Sequence, residues 1–389
     1  MHPTKQVLVS QGFQARLAEA MGVTRVARVT GLDRTGVEVA CAVRPGGHVL
    51  PVCVGQGMTF ERAALGALFE TAELWAAEHV PPARLVWGAR AELDARNVGA
   101  WSAEALGSAG RMVEPRLWGD SVRCAWRQAT ELHSGRTVWV PAQGVHCPPA
   151  GAVALGPVSV AWTRNGSAAH PDERRALLHA LLEATERDQL ARVLPDGWTE
   201  EVVRRRMLGT GGLARGAPRT EVLVRSLRER GFRVCLFDVT PTSRTPGAVG
   251  LPVAAAVLVD EKEGPVPLTV GYACALGRDE ALLHALLEAA RSRLTALHGM
   301  QEAVFRPARD ARLRGLARLC GTVRPKRQTQ EMPDFSAESV SPARGVRRVL
   351  HQLRSAGFTQ VAVVTLDPPM PGLHVQRVVV PGMRISELP

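Results

Sequence analysis

The sequence predicts a mixed α/β fold, a single large domain in which internally repeated, glutamate-bearing helices pack on β-sheet. Two patterns and the composition predict it. Strand-like apolar runs alternate with long helical stretches, and a short phrase recurs three times between residues 66 and 293. Of the 389 residues, 46% are apolar, ample for a large core. Length alone allows about two or three domains, but any such division would separate the repeats, so one integrated domain is expected.

In chain order, residues 25–30 and 37–43 read as strands around a Gly31 to Gly36 turn. A helix follows over about 59–78 with Thr59 as its N-cap. Residues 122–128 and 137–140 alternate as a hairpin does. A second helix starts at Pro171-Asp172, which suit a first turn and a cap, and runs to about 193. The glycine- and arginine-rich stretch 207–219 reads as a mobile loop or a connection near phosphate. A helix over 220–230 then feeds strands at 232–239, 253–259 and 266–274, and a third repeat helix covers about 279–297. Residues 325–341, polar and broken by prolines, read as an exposed loop. Helix 344–356 and strands 360–366 and 374–380 close the chain. Residues 1–20 form an N-terminal extension to a domain spanning 21–389.

The start of the chain has no apolar signal-peptide core, and the apolar runs at 150–162 and 251–259 are too short to span a bilayer. A cytoplasmic protein without a membrane segment is expected. Seven cysteines lie scattered with no CxxC pair, against a disulfide framework or a structural zinc site. His146-Cys147 invites a catalytic-dyad reading, but adjacent side chains seldom face each other and Pro148-Pro149 marks a loop. The net charge of +11 attracts anions. Nucleic-acid binding is disfavoured, because no aromatic residues interleave with a basic cluster. Acidic peptides and nucleotide phosphates account for the charge equally well.

The recurring phrase carries the chemistry. It reads Gly66-Ala-Leu-Phe-Glu70-Thr-Ala-Glu73, His179-Ala-Leu-Leu-Glu183-Ala-Thr-Glu186 and His284-Ala-Leu-Leu-Glu288-Ala-Ala-Arg291. Residues three apart on a helix lie within about 5 to 6 Å on one face, so Glu70 with Glu73, and Glu183 with Glu186, are each spaced to grip one divalent cation. A lone ExxE pair is often only a solvated helix face. Here the pairs sit in apolar stretches, where a carboxylate needs a cation or hydrogen-bond donors to offset its desolvation. Four acids directed at one cavity suit magnesium and a nucleotide.

Together with Gly22-Val-Thr-Arg-Val-Ala-Arg-Val-Thr-Gly-Leu-Asp-Arg-Thr-Gly-Val37, Asn165-Gly-Ser-Ala-Ala, Ala180-Leu-Leu-Glu-Ala-Thr-Glu-Arg-Asp188 and Glu288-Ala-Ala-Arg-Ser-Arg293, these phrases resemble the YcaO-domain family over nearly the whole chain. The resemblance implies an ATP-dependent enzyme acting on a ribosomally synthesised peptide. A nucleophile adds to a backbone amide carbonyl, the oxyanion takes the γ-phosphoryl group of ATP, and phosphate leaves with the former carbonyl oxygen. A cysteine, serine or threonine side chain as nucleophile gives an azoline; external sulfide gives a thioamide. The resemblance further implies that Glu70, Glu73, Glu183 and Glu186 hold Mg2+. Gln56, Asn165, Arg187 and Arg291 fall at nucleotide-binding positions, with Arg187 and Asp188 as supports. Glu288 and Arg293 complete the site, Arg293 by neutralising phosphate charge.

The chain also departs from the family pattern. Gly55-Gln56-Gly57 stands where a Gly-Lys-Gly is usual, Gly66 where serine is usual, Ala275 where a histidine is found, and Gly299-Met-Gln-Glu-Ala303 replaces a more acidic phrase. These departures keep open a second reading, a catalytically degenerate scaffold that binds peptide or a partner enzyme. The ending Glu387-Leu-Pro389 differs from the Pro-x-Pro-x-Pro tail of azoline-forming members and inclines the expectation toward thioamidation. The resemblance then implies a precursor-peptide substrate and a partner protein, TfuA-like or leader-peptide-binding, and it admits a homodimer.

Overall fold

Three strand-and-helix units meet at the glutamate-bearing phrases. The structure, a computed structural model, describes residues 11–94, 99–107, 109–297 and 307–386. The 299–303 phrase and residues 387–389 lie outside them.

The first unit opens with α1 (Gln11–Met21) and an antiparallel sheet of β1 (Arg25–Arg28), β2 (Glu38–Val43) and β3 (Val52–Gly57). Next comes α2 (Phe60–Glu78), capped as expected by Thr59, whose side chain accepts from the Arg62 N–H. This helix lies directly on β3: a Cβ at Gly55 would stand 2.0 Å from the Ala63 carbonyl oxygen and 2.3 Å from the Ala67 nitrogen. Only glycine permits that approach. Part of the stretch read as an N-terminal extension joins the core, since Leu17 is buried, with Met21 just beyond it, in the cluster that holds Ala67 and Leu68 of α2.

The second unit contains β4 (Leu85–Ala89), α3 (Arg90–Asp94), β5 (Gly110–Met112), β6 (Arg123–Glu131), β7 (Thr137–Pro141), β8 (Val160–Trp162), β9 (Ser167–His170) and α4 (Glu173–Val193). β6 and β7 form the expected hairpin. Asp172 caps α4 by accepting from the Arg175 N–H at 3.0 Å.

In the third unit, α5 (Glu200–Arg206), β10 (Met207–Gly209), α6 (Leu213–Gly216) and α7 (Pro218–Glu229) precede the buried meander β11 (Phe232–Asp238), β12 (Val253–Asp260) and β13 (Leu268–Cys274). α8 (Arg278–Leu297) packs on β13 as α2 does on β3: a Cβ at Gly271 would stand 2.2 Å from the Ala285 oxygen and 2.3 Å from the Ala289 nitrogen. The chain closes with α9 (Pro307–Thr322), β14 (Arg327–Gln328), α10 (Pro342–Ser355), β15 (Ala362–Leu366) and β16 (His374–Val379). Those last two strands return to the second unit and complete a sheet of order β4-β6-β15-β16-β9, while β13-β12-β11-β10-β14 form another.

Two expected loops are corrected. Residues 207–219 hold β10 and α6 with Met207, Leu208 and Leu213 buried, and residues 325–341 contain β14, which pairs in parallel with β10. The cause is mutual. Gly209 and Gly212 let Gln328 and Gln330 come close, and the Gln330 amide donates to the Gly212 carbonyl at 3.0 Å, so each polar segment satisfies the other's backbone. His146 and Cys147 do not form a dyad. The imidazole is buried with Nε2 accepting from Arg127 Nε at 3.2 Å, and burial, with Glu78 nearby, raises the Cys147 thiol pKa. Among the described residues no helix is long and apolar enough to cross a membrane.

Gly55→Ala and Gly271→Ala force a methyl group into backbone atoms, so each is expected to lower the unfolding free energy by about 2 kcal/mol or more. Gly46→Ala, with nothing within 4 Å of the added carbon, is the control; equal urea midpoints for all three would refute the close packing. Burial first, and the Arg127 charge second, lower the pKa of His146 to about 3. The folded chain therefore refuses a proton that the unfolded chain takes up near pH 6.5. This contribution to stability is complete above about pH 6.5 and is lost as pH falls toward about 3. His146→Gln should flatten the fall of Tm between pH 7 and 4.5, and parallel Tm profiles would contradict the assignment.

Candidate active site

The free edges of three sheets converge on the repeat helices. β3, β9 and β13 are each the last strand of their sheet, so each presents backbone groups that no neighbouring strand satisfies. The first glutamate of every repeat turns to its own unit. Glu70 accepts from the Val54 N–H at 3.3 Å, Glu183 from the Gly166 N–H at 3.1 Å, and Glu288 from the Tyr272 N–H at 2.7 Å. Three residues later, the second repeat position reaches the next unit. Glu73 of α2 accepts from the Ala169 N–H of β9 at 3.2 Å, and Glu186 of α4 from the Cys274 N–H of β13 at 3.2 Å. On α8 that position is Arg291, which donates to the Val54 carbonyl of β3 at 3.4 Å and closes the circuit. A carbonyl needs a donor, which accounts for arginine where the other repeats carry glutamate.

Arginines lie between the carboxylates. Arg164 Nη1 is 2.8 Å from Glu70 and 3.4 Å from Glu73, and it also interacts electrostatically with Glu183. Arg187 stands 3.4 Å from Glu186 and 4.0 Å from Glu288, while Arg291 stands 3.0 Å from Glu288 and 3.9 Å from Glu70. Five carboxylates thus face three guanidinium groups. Burial raises the pKa of Glu73 well above the usual range, with Glu183 and Glu70 adding to the rise and Arg164 opposing it. Burial likewise raises that of Glu186 to about 7, against the pull of Arg187 and with help from Glu288 and Glu183.

The turn that carries Arg164 is built from below. Arg377 of β16, fully buried, donates to the carbonyls of Thr163 and Asn165 at 2.6 and 2.7 Å and to Ser167 Oγ at 2.9 Å. Gly166 has φ +81° while the Ser167 N–H donates to the Arg164 carbonyl at 3.1 Å, the left-handed third position of a tight turn.

The structure brings together Glu70, Glu73, Glu183, Glu186, Glu288, Arg187 and Arg291. Asn165 sits in the turn beside them, and Gln56 lies on edge strand β3, two residues beyond Val54. Arg293 is placed elsewhere, a correction to its expected phosphate role. Five residues beyond Glu288 it is rotated about 140° around the helix, and its guanidinium is held by Asp33 at 3.0 Å and Asp260 at 2.8 Å. Asp188 is buried and supports the chain end, accepting from Arg192 at 2.8 Å and from the Arg384 N–H at 2.9 Å. Ala275 is buried in the core. Sequence reasoning missed Arg164, although a charge directly before an Asn-Gly turn was a visible signal. It missed two of the three edge strands, β3 and β9, for lack of any local mark.

The donor chemistry fits magnesium and a polyphosphate. Among the described residues no three acidic, imidazole or thiol groups stand ready to cage an ion. Mg2+ does not need such a cage, since it is commonly held by one or two carboxylates with phosphate oxygens and waters. Guanidinium groups are well suited to phosphate oxygens.

A sequence model of the YcaO family, described as YcaO cyclodehydratase, ATP- and Mg2+-binding, matches residues 54–384. An uncharacterised protein of Methanothermobacter thermautotrophicus is 28% identical over 94% of this chain and 90% of its own length. A Rhizobium leguminosarum protein described as lying in the tfuA 3' region is 28% identical over 94% of this chain and 84% of its own. Among solved structures, YcaO from Methanopyrus kandleri bound with AMPPCP and Mg2+ superposes with a TM-score of 0.68 at 23% identity, covering 96% of this chain and 92% of that one. A heterocyclase in complex with substrate and cofactor superposes with a TM-score of 0.71 at 19% identity; the match covers 96% of this chain but 52% of the heterocyclase. The five carboxylates gathered from three repeat helices thus lie in a fold shared with these structures, and the family match extends over most of the sequence: this chain belongs to the YcaO family.

Proposed function

We propose that the protein is an ATP- and magnesium-dependent enzyme that modifies a ribosomally synthesised peptide by phosphorylating a backbone amide oxygen, leading to a thioamide or an azoline. The observation that carries the reading is the convergence of Glu70, Glu73, Glu183, Glu186 and Glu288 with three arginines at the junction of three sheet edges. ATP with Mg2+ supplies the phosphoryl group that turns an amide oxygen into a leaving group. The protein's own part is placement and charge. Glu183 and Glu186, one helical turn apart, are the ligands for a divalent ion, and Arg187 and Arg291 face the phosphates. Asn165 and Gln56 contact the nucleotide from the 163–167 turn and from β3. Phosphoryl transfer asks for positioning and charge neutralisation more than for covalent help.

The thioamide is favoured over the azoline, because the Rhizobium relative is described by its position next to tfuA. A precursor peptide and a TfuA-like or leader-peptide-binding protein are then the partners. A second reading rests on Gln56 and Gly66: with no lysine on β3 and no hydroxyl at the start of the α2 repeat, the chain serves as a scaffold whose site a partner completes.

Calorimetric titration with AMPPCP and Mg2+ separates the two. The enzyme reading expects saturable binding that Glu183→Gln and Glu70→Gln each weaken by about tenfold or more, the equivalent of about 1.4 kcal/mol. A folded wild-type chain that binds no nucleotide, alone or with Mg2+, would overturn it and leave the scaffold.

A further inference from the structure

We propose that Arg164 is a built-in cation of this site, its guanidinium holding the position that a divalent ion would otherwise take against α2, so that the cluster accepts one divalent ion rather than two. The inference deepens the reading of the cluster as a metal and nucleotide site and rests on it. Glu70 and Glu73 have the i, i+3 spacing of a cation-gripping pair, yet the cation between them is a side chain: Arg164 Nη1 lies 2.8 Å from one and 3.4 Å from the other. Its backbone is fixed from both sides, because buried Arg377 binds the carbonyls of Thr163 and Asn165, the residues flanking it. A guanidinium seated by such a turn loses little further freedom when its carboxylates close on it.

The distribution of arginines points the same way: three guanidinium groups stand among the five carboxylates and buried Arg377 acts on Glu183 and Glu73 from below, which leaves the cluster too nearly balanced for two divalent ions. The location follows from the ion pairs. Glu70, Glu73, Glu186 and Glu288 each have an arginine within 4.0 Å. Glu183 accepts the Gly166 N–H and forms no ion pair of its own among the described residues. The divalent ion therefore belongs to α4, at Glu183 with Glu186, while Arg164 serves α2. Because its side chain keeps 30% of its surface exposed, Arg164 remains able to contact a phosphate oxygen on the side away from the glutamates.

Mn2+ is the probe, counted on the full-length protein without nucleotide through the loss of the free-ion electron paramagnetic resonance signal. Wild type is expected to bind one ion, Arg164→Ser two, and Arg164→Lys one, with thermal unfolding verifying that each variant is folded. Two ions bound to wild type, one or none to folded Arg164→Ser, or none to wild type would each overturn the inference. If Arg164→Ser does not fold, Arg164→Gln gives the same count with a closer match in length. A separate AMPPCP titration keeps the two readings apart. A wild-type chain that binds one Mn2+ but no nucleotide refutes the ATP-dependent function and leaves the role of Arg164 standing.

Discussion

The bond on which this structure depends joins a helix carboxylate to the unpaired N–H of a sheet edge. An edge strand left bare either recruits another strand or carries unsatisfied donors into the interior, and both are costly. Here three edges meet, and the repeat helices cover them: Glu70 on β3, Glu183 and Glu73 on β9 and the turn before it, Glu288 and Glu186 on β13. Closing the sheets and collecting the carboxylates are one event. The site therefore inherits the rigidity of helices held on strands by glycine contacts at Gly55 and Gly271, a better foundation than loops.

Using acids as edge covers creates an electrostatic problem that hydrogen bonds alone do not solve. Buried like charges repel, and each carboxylate has given up part of its hydration. The arginines answer at the three helix junctions, Arg164 between α2 and α4, Arg187 between α4 and α8, Arg291 between α8 and α2. The arginines do not fully offset burial, which, with the neighbouring carboxylates, raises the pKa values of Glu73 and Glu186. A site poised in this way is short of positive charge and lined by arginines, which suits it to cations and to phosphate groups alike.

Much of this was legible in the sequence where the signal is periodic. The three helices follow from recurring Ala-Leu-(Phe/Leu)-Glu, their caps from Thr59 and Asp172, and the strands of the third unit from unbroken apolar runs. What stayed hidden depends on contacts far apart in sequence. β3 and β9 are short and hold glycine or alanine where a strand pattern expects bulk, because helices press against them. Arg293 and Arg291 look alike in the sequence, two arginines at the end of one phrase, and only the turn of the helix separates a salt bridge to Asp33 and Asp260 from a place in the cluster. The polar segments 207–219 and 325–341 each resemble a loop alone; they become structure by pairing with one another.

The position of β16 in the second sheet bears on how the protein comes into being. The strand runs beside β9, and its Arg377 holds the turn from which Arg164 projects, yet it follows all three repeat helices in the chain. All five glutamates are synthesised about ninety or more residues earlier and must wait. Until β16 has been made, the turn that carries Arg164 lacks its anchor. The cluster is complete only when β15 and β16 take their places between β6 and β9.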